Sequence, residues 1–159
     1  MKRIYLLLGA MLIATSMVAL ALVGPAGAKS KVYTAIVASN STAITASGDA
    51  TTKQGAINKA WRQCDSTASN EYPSSYTGDC NWGVWVKNGW AAFAWESTLE
   101  GPPFSSTPTG AWGWGDTRSE ARYNAQSECQ ATAGEGCTVD RVERSRYYNP
   151  GVYARGGPL

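Results

Sequence analysis

Apolar positions fall into three kinds of run along this chain, and each predicts a different element. Two stretches carry them at helical spacing. Ala56, Ile57, Ala60, Trp61 and Cys64 recur at i, i+1, i+4, i+5 and i+8, one stripe of an amphipathic helix. Ala121, Ala125 and Cys129 recur at i, i+4 and i+8. The two stretches are one pattern: Thr52-Lys53-x-x-Ala56-x-x-x-Ala60-x-x-x-Cys64 returns 65 residues later as Thr117-Arg118-x-x-Ala121-x-x-x-Ala125-x-x-x-Cys129. Each opens on a threonine that can cap. In the second, Thr117-x-x-Glu120 predicts a capping box, which Gly55 denies to the first. Alanines on one face let each helix pack tightly on a sheet.

The second kind of run is strand-like. Val32–Ala38 is β-branched and predicts a strand, with a weaker one over Thr42–Ala46. Residues 65–79 are polar and turn-rich and predict an irregular insert. Asn81–Lys87 and Trp90–Trp95 alternate about Asn88-Gly89, the strongest short hairpin signal. That register pairs Val86 with Ala91, Val84 with Phe93 and Trp82 with Trp95 on a core-facing side, and puts Trp85, Lys87 and Trp90 on the other. Residues 97–110 hold Gly101-Pro102-Pro103 and Pro108 and predict a loop. Ala111–Gly115 predicts a strand with Trp112 and Trp114 on one face, and Thr138–Glu143 a closing strand. The order strand, strand, helix, strand thus occurs twice, over about 32–87 and 90–143. It predicts an α+β domain: a tandem ββαβ duplication, an antiparallel sheet with two helices packed on it.

The third kind is continuous. Ile4–Val23 is almost wholly apolar, follows Lys2 and Arg3, and precedes Ala26-Gly27-Ala28, the layout of a secretory signal peptide over residues 1–28. An uncleaved anchor is the alternative, since about 20 apolar residues span a bilayer. Gly24-Pro25 and the Ala-x-Ala site favour cleavage, with no stable membrane insertion afterwards. The expected organisation is then a leader over 1–28, one domain over 29–146 and a flexible tail over 147–159. Lys2 and Arg3 account for the net charge of +2: without them 12 cations face 12 carboxylates. This neutral balance gives no support for nucleic-acid binding, which shows a basic patch.

Export permits disulfides, and all four cysteines lie beyond the leader. The repeat favours Cys64 with Cys80 and Cys129 with Cys137, one staple per unit. A zinc site of all four is the rival, and it lacks any C-x-x-C pair. The chain has no histidine, so Ser-His-Asp and Cys-His catalysis and histidine-containing metal sites are excluded. No phosphate-binding or calcium-binding loop motif is present, and no metal or cofactor is expected. Asp49, Asp116, Glu96 and Glu100 are the carboxylates that could support glycoside hydrolysis. Asp49 and Asp116 each follow a glycine and precede a helix, where capping is the stronger reading.

Tryptophan is the unusual component: seven, all beyond the leader. Trp61, Trp82 and Trp95 fit a core. Trp85, Lys87 and Trp90, with Trp112 and Trp114 beside them, are the candidate contact residues.

Three stretches together resemble the secreted bacterial family known as domain of unknown function 4189, over about Tyr33–Val142. They are the Ala-x-x-x-Ala-x-x-x-Cys helix, Trp85-Val86-Lys87-Asn88-Gly89-Trp90-Ala91-Ala92-Phe93-Ala94, and Gly110-Ala111-Trp112-Gly113-Trp114-Gly115-Asp116-Thr117-Arg118. Members of that family often carry a cysteine where Trp90 stands and another near the end. Neither is present here, so an additional disulfide is missing. The resemblance implies the fold and export and supplies no activity. The expected function is a secreted, non-enzymatic interaction domain, an inhibitor or effector with a protein partner. The alternative is a cell-wall polysaccharide module using exposed tryptophans, and a carboxylate hydrolase stands behind both.

Overall fold

The computed structural model describes residues 33–97, 101–102, 104, 107–134, 136–145 and 153–159. The leader over 1–28 and Glu100 lie outside them. The chain order is β1 (Tyr33–Ala38), β2 (Thr45–Ala50), α1 (Lys53–Glu71), β3 (Trp82–Lys87), β4 (Trp90–Glu96), β5 (Gly110–Gly115), α2 (Arg118–Ala133), β6 (Cys137–Arg144) and β7 (Tyr153–Pro158). The strands form two antiparallel sheets, a four-stranded one in the order β2-β1-β3-β7 and a three-stranded one in the order β5-β4-β6. In each ββαβ unit the first strand is central, the second lies on one side and the strand after the helix on the other.

The α+β class, the antiparallel pairing and the two packed helices agree with the sequence reading; the placement of the strands does not. β3 and β4 belong to different sheets, so Asn88-Gly89 is a crossover and not a hairpin turn. The type I′ turn that Asn-Gly favours needs positive φ at both residues. Asn88 has φ 62°, but Gly89 is not at positive φ. Ser145, at the end of β6, holds the corner instead. Asn88 N–H donates to its Oγ at 3.2 Å, and its own N–H donates to the Gly89 carbonyl at 2.9 Å.

Splitting the strands produces four layers with three cores between them. Alternate residues of a strand face opposite sides, and here both sides are covered. Ala35 and Val37 of β1 pack with Ala56, Ala60 and Cys64 of α1. Ile36, Val84 and Val86 of the first sheet pack with Ala91, Phe93 and Trp95 of the second. Ala92, Ala94 and Ala111 pack with Ala121, Ala125 and Cys129 of α2. All the residues assigned to one hairpin face except Trp82 do make a core, stacked between sheets rather than side by side within one.

The helices approach their sheets at glycine. A Cβ on Gly48 of β2 would lie 2.6 Å from the Ala56 carbonyl oxygen, and one on Gly113 of β5 would lie 2.7 Å from that of Ala121. The helix backbone therefore rests almost directly on the strand. Thr52 and Thr117 cap the helices, accepting from Gly55 N–H and Glu120 N–H, each at 3.1 Å. Glu120 reaches back to Asp116 N–H at 3.0 Å, one residue before the cap. Disulfides join Cys64 to Cys80 and Cys129 to Cys137, as the repeat favours, each tying a helix to the chain that follows it.

Other features differ from the sequence reading. β2 starts at Thr45, because Asn40–Thr42 form the turn. α1 runs on through 65–71, the start of the supposed insert, and Ala68 adds a further buried turn. Trp61 is 45% exposed, lying beyond the narrow buried stripe of α1. The segment read as a flexible tail supplies β7, paired to β3 along six residues.

These contacts set two expectations. Gly48→Ala, Gly113→Ala, Ala60→Leu and Ala125→Leu should each lower stability by roughly 1–3 kcal/mol through overpacking, read as a fall in thermal midpoint; unchanged midpoints would place the helices farther from the sheets. Replacing Cys64 and Cys80 by serine should cost about 3 kcal/mol, and replacing Cys129 and Cys137 about 2.5 kcal/mol, by the loop lengths they close. Denaturant unfolding of the two double variants measures both.

Candidate functional site

The sandwich between the sheets is polar on one flank and aromatic on the other. On the polar flank β6 faces β2. Thr45 Oγ1 donates to the Asp140 carboxylate, Ser47 Oγ donates to Glu143 Oε1 at 2.8 Å, and Arg141 Nε donates to Thr45 Oγ1 at 3.2 Å. Arg141 also lies 3.6 Å from the Glu143 carboxylate. These charges are satisfied by one another and by hydroxyls, and they lock the flank.

On the other flank β5 of the second sheet lies over β3 and β7 of the first. Trp82 and Trp112 point into the space between and stack, with ring centroids 5.6 Å apart at 29°. Trp112 also touches Phe93, centroids 6.5 Å apart. Gly156 of β7 lies under Trp112, where any side chain would overlap the indole. Trp82 and Trp114 are each 39% exposed. Two clefts border β5. One, about 300 Å³, is lined by Trp82, Trp112, Phe93, Asn40 and residues 107–110. The other, about 560 Å³, runs along Gly110–Trp114 with Asn124, Ser127, Glu128 and Thr132 of α2 as its second wall.

The candidate contact residues therefore separate. Trp112 and Trp114 are together on the β5 flank. Trp85 and Trp90 are not neighbours on one open face, because each sheet carries a helix where that face was expected to be bare. Trp85 packs at the α1 core beside Tyr33, with Lys53 Nζ 5.3 Å from its ring centroid. Trp90 packs at the α2 core with the Arg144 guanidinium 5.5 Å from its centroid. Lys87 lies over the Tyr33 ring at 5.5 Å. Trp82, assigned to the core by sequence, belongs to the exposed rim. Its position at the start of β3, beside a glycine-rich partner strand, was the only local sign. Trp95 is buried as expected.

Of the candidate carboxylates among the described residues, Asp49, Asp116 and Glu96, none lines either cleft. Asp49 accepts from Thr34 Oγ1 at 2.8 Å within the first sheet and caps no helix, since Thr52 takes that role. Asp79 gathers Ser39 Oγ at 2.7 Å, Ser41 Oγ at 2.9 Å and Ser41 N–H at 2.8 Å, tying the β1–β2 turn to the loop before Cys80. Burial pushes the Tyr76 phenol far above its usual range, and its 2.6 Å hydrogen bond to Asp65 adds to the shift, so this hydroxyl keeps its proton. Among the described residues no group of three or more histidine, cysteine, aspartate or glutamate side chains is placed to hold a metal ion.

No curated protein and no solved structure matches the chain. Residues 33–143, from the start of β1 into β6, match one family model, and the chain belongs to that family, the Domain of unknown function (DUF4189).

Proposed function

We propose that this protein is an exported, non-enzymatic binding domain that meets a protein partner, as an inhibitor or effector, through the β5 flank. The observation that carries the reading is the gathering of Trp82, Trp112 and Trp114 at one partly exposed flank, bordered by both clefts. Partly exposed tryptophans set in a packed rim are the side chains that contribute most at interfaces. The polar flank offers no comparable surface, since its charges face one another.

Two disulfides and the absence, among the described residues, of any helix long and apolar enough to cross a membrane are compatible with an extracytoplasmic protein. The sequence of residues 1–28 supplies the reason to propose secretion. N-terminal sequencing of the exported form should begin at Lys29; a form that retains Met1 and stays with the membrane would show an anchor instead.

One observation favours a second reading, a cell-wall polysaccharide module. The smaller cleft sets indole rings beside Asn40, Thr107 and Thr109, an apolar ring surface with amide and hydroxyl partners suited to a sugar. Pelleting with washed insoluble peptidoglycan separates the two. A protein-binding domain stays in the supernatant, whereas a wall module sediments and is released by Trp82→Ala.

The tryptophans should also divide by stability. Trp114→Ala should cost about 1 kcal/mol, as a partly exposed side chain, and should weaken partner binding. Trp85→Ala combined with Trp90→Ala should cost about 3 kcal/mol together, because both rings are half-buried against the cores under the helices, and a fully buried Trp→Ala runs at about 3–5 kcal/mol by itself. Thermal unfolding of both variants checks the division; equal losses would remove the distinction between rim and core.

A further inference from the structure

The second sheet ends on one side at β5, and the register fixes what that edge presents. Glu96 N–H donates to the Thr109 carbonyl at 3.0 Å, on the β4 side of the ladder. Asn124 Nδ2 reaches the Trp114 carbonyl at 2.8 Å from the α2 side. In an antiparallel pair the N–H and C=O of one residue point the same way, and the direction alternates along the strand. Ala111, Gly113 and Gly115 therefore face β4, and Gly110, Trp112 and Trp114 turn their backbone groups outward. Among the described residues no strand pairs with that edge.

Other edges carry the features that discourage pairing. β6 has Asp140, Arg141, Glu143 and Arg144, β2 has Asp49, and β7 ends in Pro158. Charges and proline are what keep sheet edges from recruiting a strand. β5, Gly-Ala-Trp-Gly-Trp-Gly, has neither. The 560 Å³ cleft follows this edge along Gly110–Trp114, with α2 as its far wall.

We propose that this cleft takes an extended peptide segment bearing a lysine or arginine, added as a fourth strand of the second sheet. The inference rests on the reading of the β5 flank as the contact surface. The outward backbone groups recur every second residue, about 6.8 Å apart, a repeat that an extended polypeptide matches with its own N–H and C=O. Asn124 already holds the Trp114 carbonyl and marks the end of the pairing, so the added strand bonds through Trp112 and Gly110. Charge decides the side chain: Glu128 is the one charged group among the described residues lining the cleft. Charge also argues against a second copy on this edge. Glu120, Asn124 and Glu128 follow at i, i+4 and i+8 on α2, so a two-fold pairing of β5 with itself would set two acidic helix faces side by side.

The test uses the exported chain and a blocked heptapeptide of alternating valine and threonine with a central lysine, titrated by calorimetry. Saturable binding is expected. Methylating alternate backbone amides of the peptide should weaken it about tenfold, by removing the edge hydrogen bonds. Glu128→Gln should weaken the lysine peptide about threefold and leave a norleucine version unchanged, as for an exposed ion pair. Glu128 is exposed, so the thermal midpoint of that variant should match the parent. Methylated and parent peptides binding alike on both registers of methylation would overturn the strand addition. So would absence of saturable binding at millimolar peptide. If a protein partner or peptidoglycan still binds in a Trp114-dependent way, only the peptide inference has failed. If Trp82→Ala and Trp114→Ala change no binding of any kind, the contact surface has failed with it.

Discussion

The contact between a helix backbone and a strand glycine governs this fold. α1 sits on Gly48 and α2 on Gly113, and in both places the helix contributes alanine to the contact. Side chains this small bury little area each, so the cores gain from closeness and number rather than from bulk. Close seating also fixes where each cysteine falls. Cys64 and Cys129 lie two turns beyond the first buried alanine of the same helix face, fully buried, at the place where the returning chain brings Cys80 and Cys137. The disulfides follow from the seating of the helices.

Features set by neighbours in sequence were legible, and those set by distant residues were not. Helix stripes, the threonine caps and the cysteine pairing are local or repeat-encoded, and each was found. The division into two sheets was missed because Asn88-Gly89 is locally a good hairpin turn. Ser145, some 57 residues further on, bonds it into a crossover. The Trp85–Trp90 patch fell for a related reason: alternation along a strand tells which residues share a face, not whether a helix covers it. β7 had no apolar alternation to betray it. Its six residues hold by backbone pairing to β3 and by the fit of Gly156 under Trp112. The aromatic flank is half legible in sequence: Trp112 and Trp114 share one strand face, whereas alternation puts Trp82 on the core face of β3.

The inner surface of the sandwich grades from ion pairs and hydroxyls at β2 and β6, through aliphatic side chains at β1, β3 and β4, to the stacked indoles of Trp82 on β3 and Trp112 on β5, beside β7. Polar contacts fix register, because a one-residue slip would leave carboxylates and hydroxyls unmatched. Indoles at the opposite flank do not demand register in that way and can stay partly exposed without leaving charges unpaired. The rigid flank and the adaptable flank are thus on opposite sides of the same interlayer.

β7 has one more consequence. The first sheet is closed by a strand that the chain reaches only after passing through every element of the second. The Ser145 clamp and the Thr34 hydroxyl, which shares its proton between Asp49 and the Arg144 carbonyl 3.2 Å away, tie the same two regions together. A solenoid repeat touches only its neighbours and can be shortened one unit at a time. Here the first half lacks an edge strand and one wall of its core when severed from the second. Likeness in strand and helix order therefore brings no modularity, and contacts between residues so far apart in sequence are of the kind that slow folding.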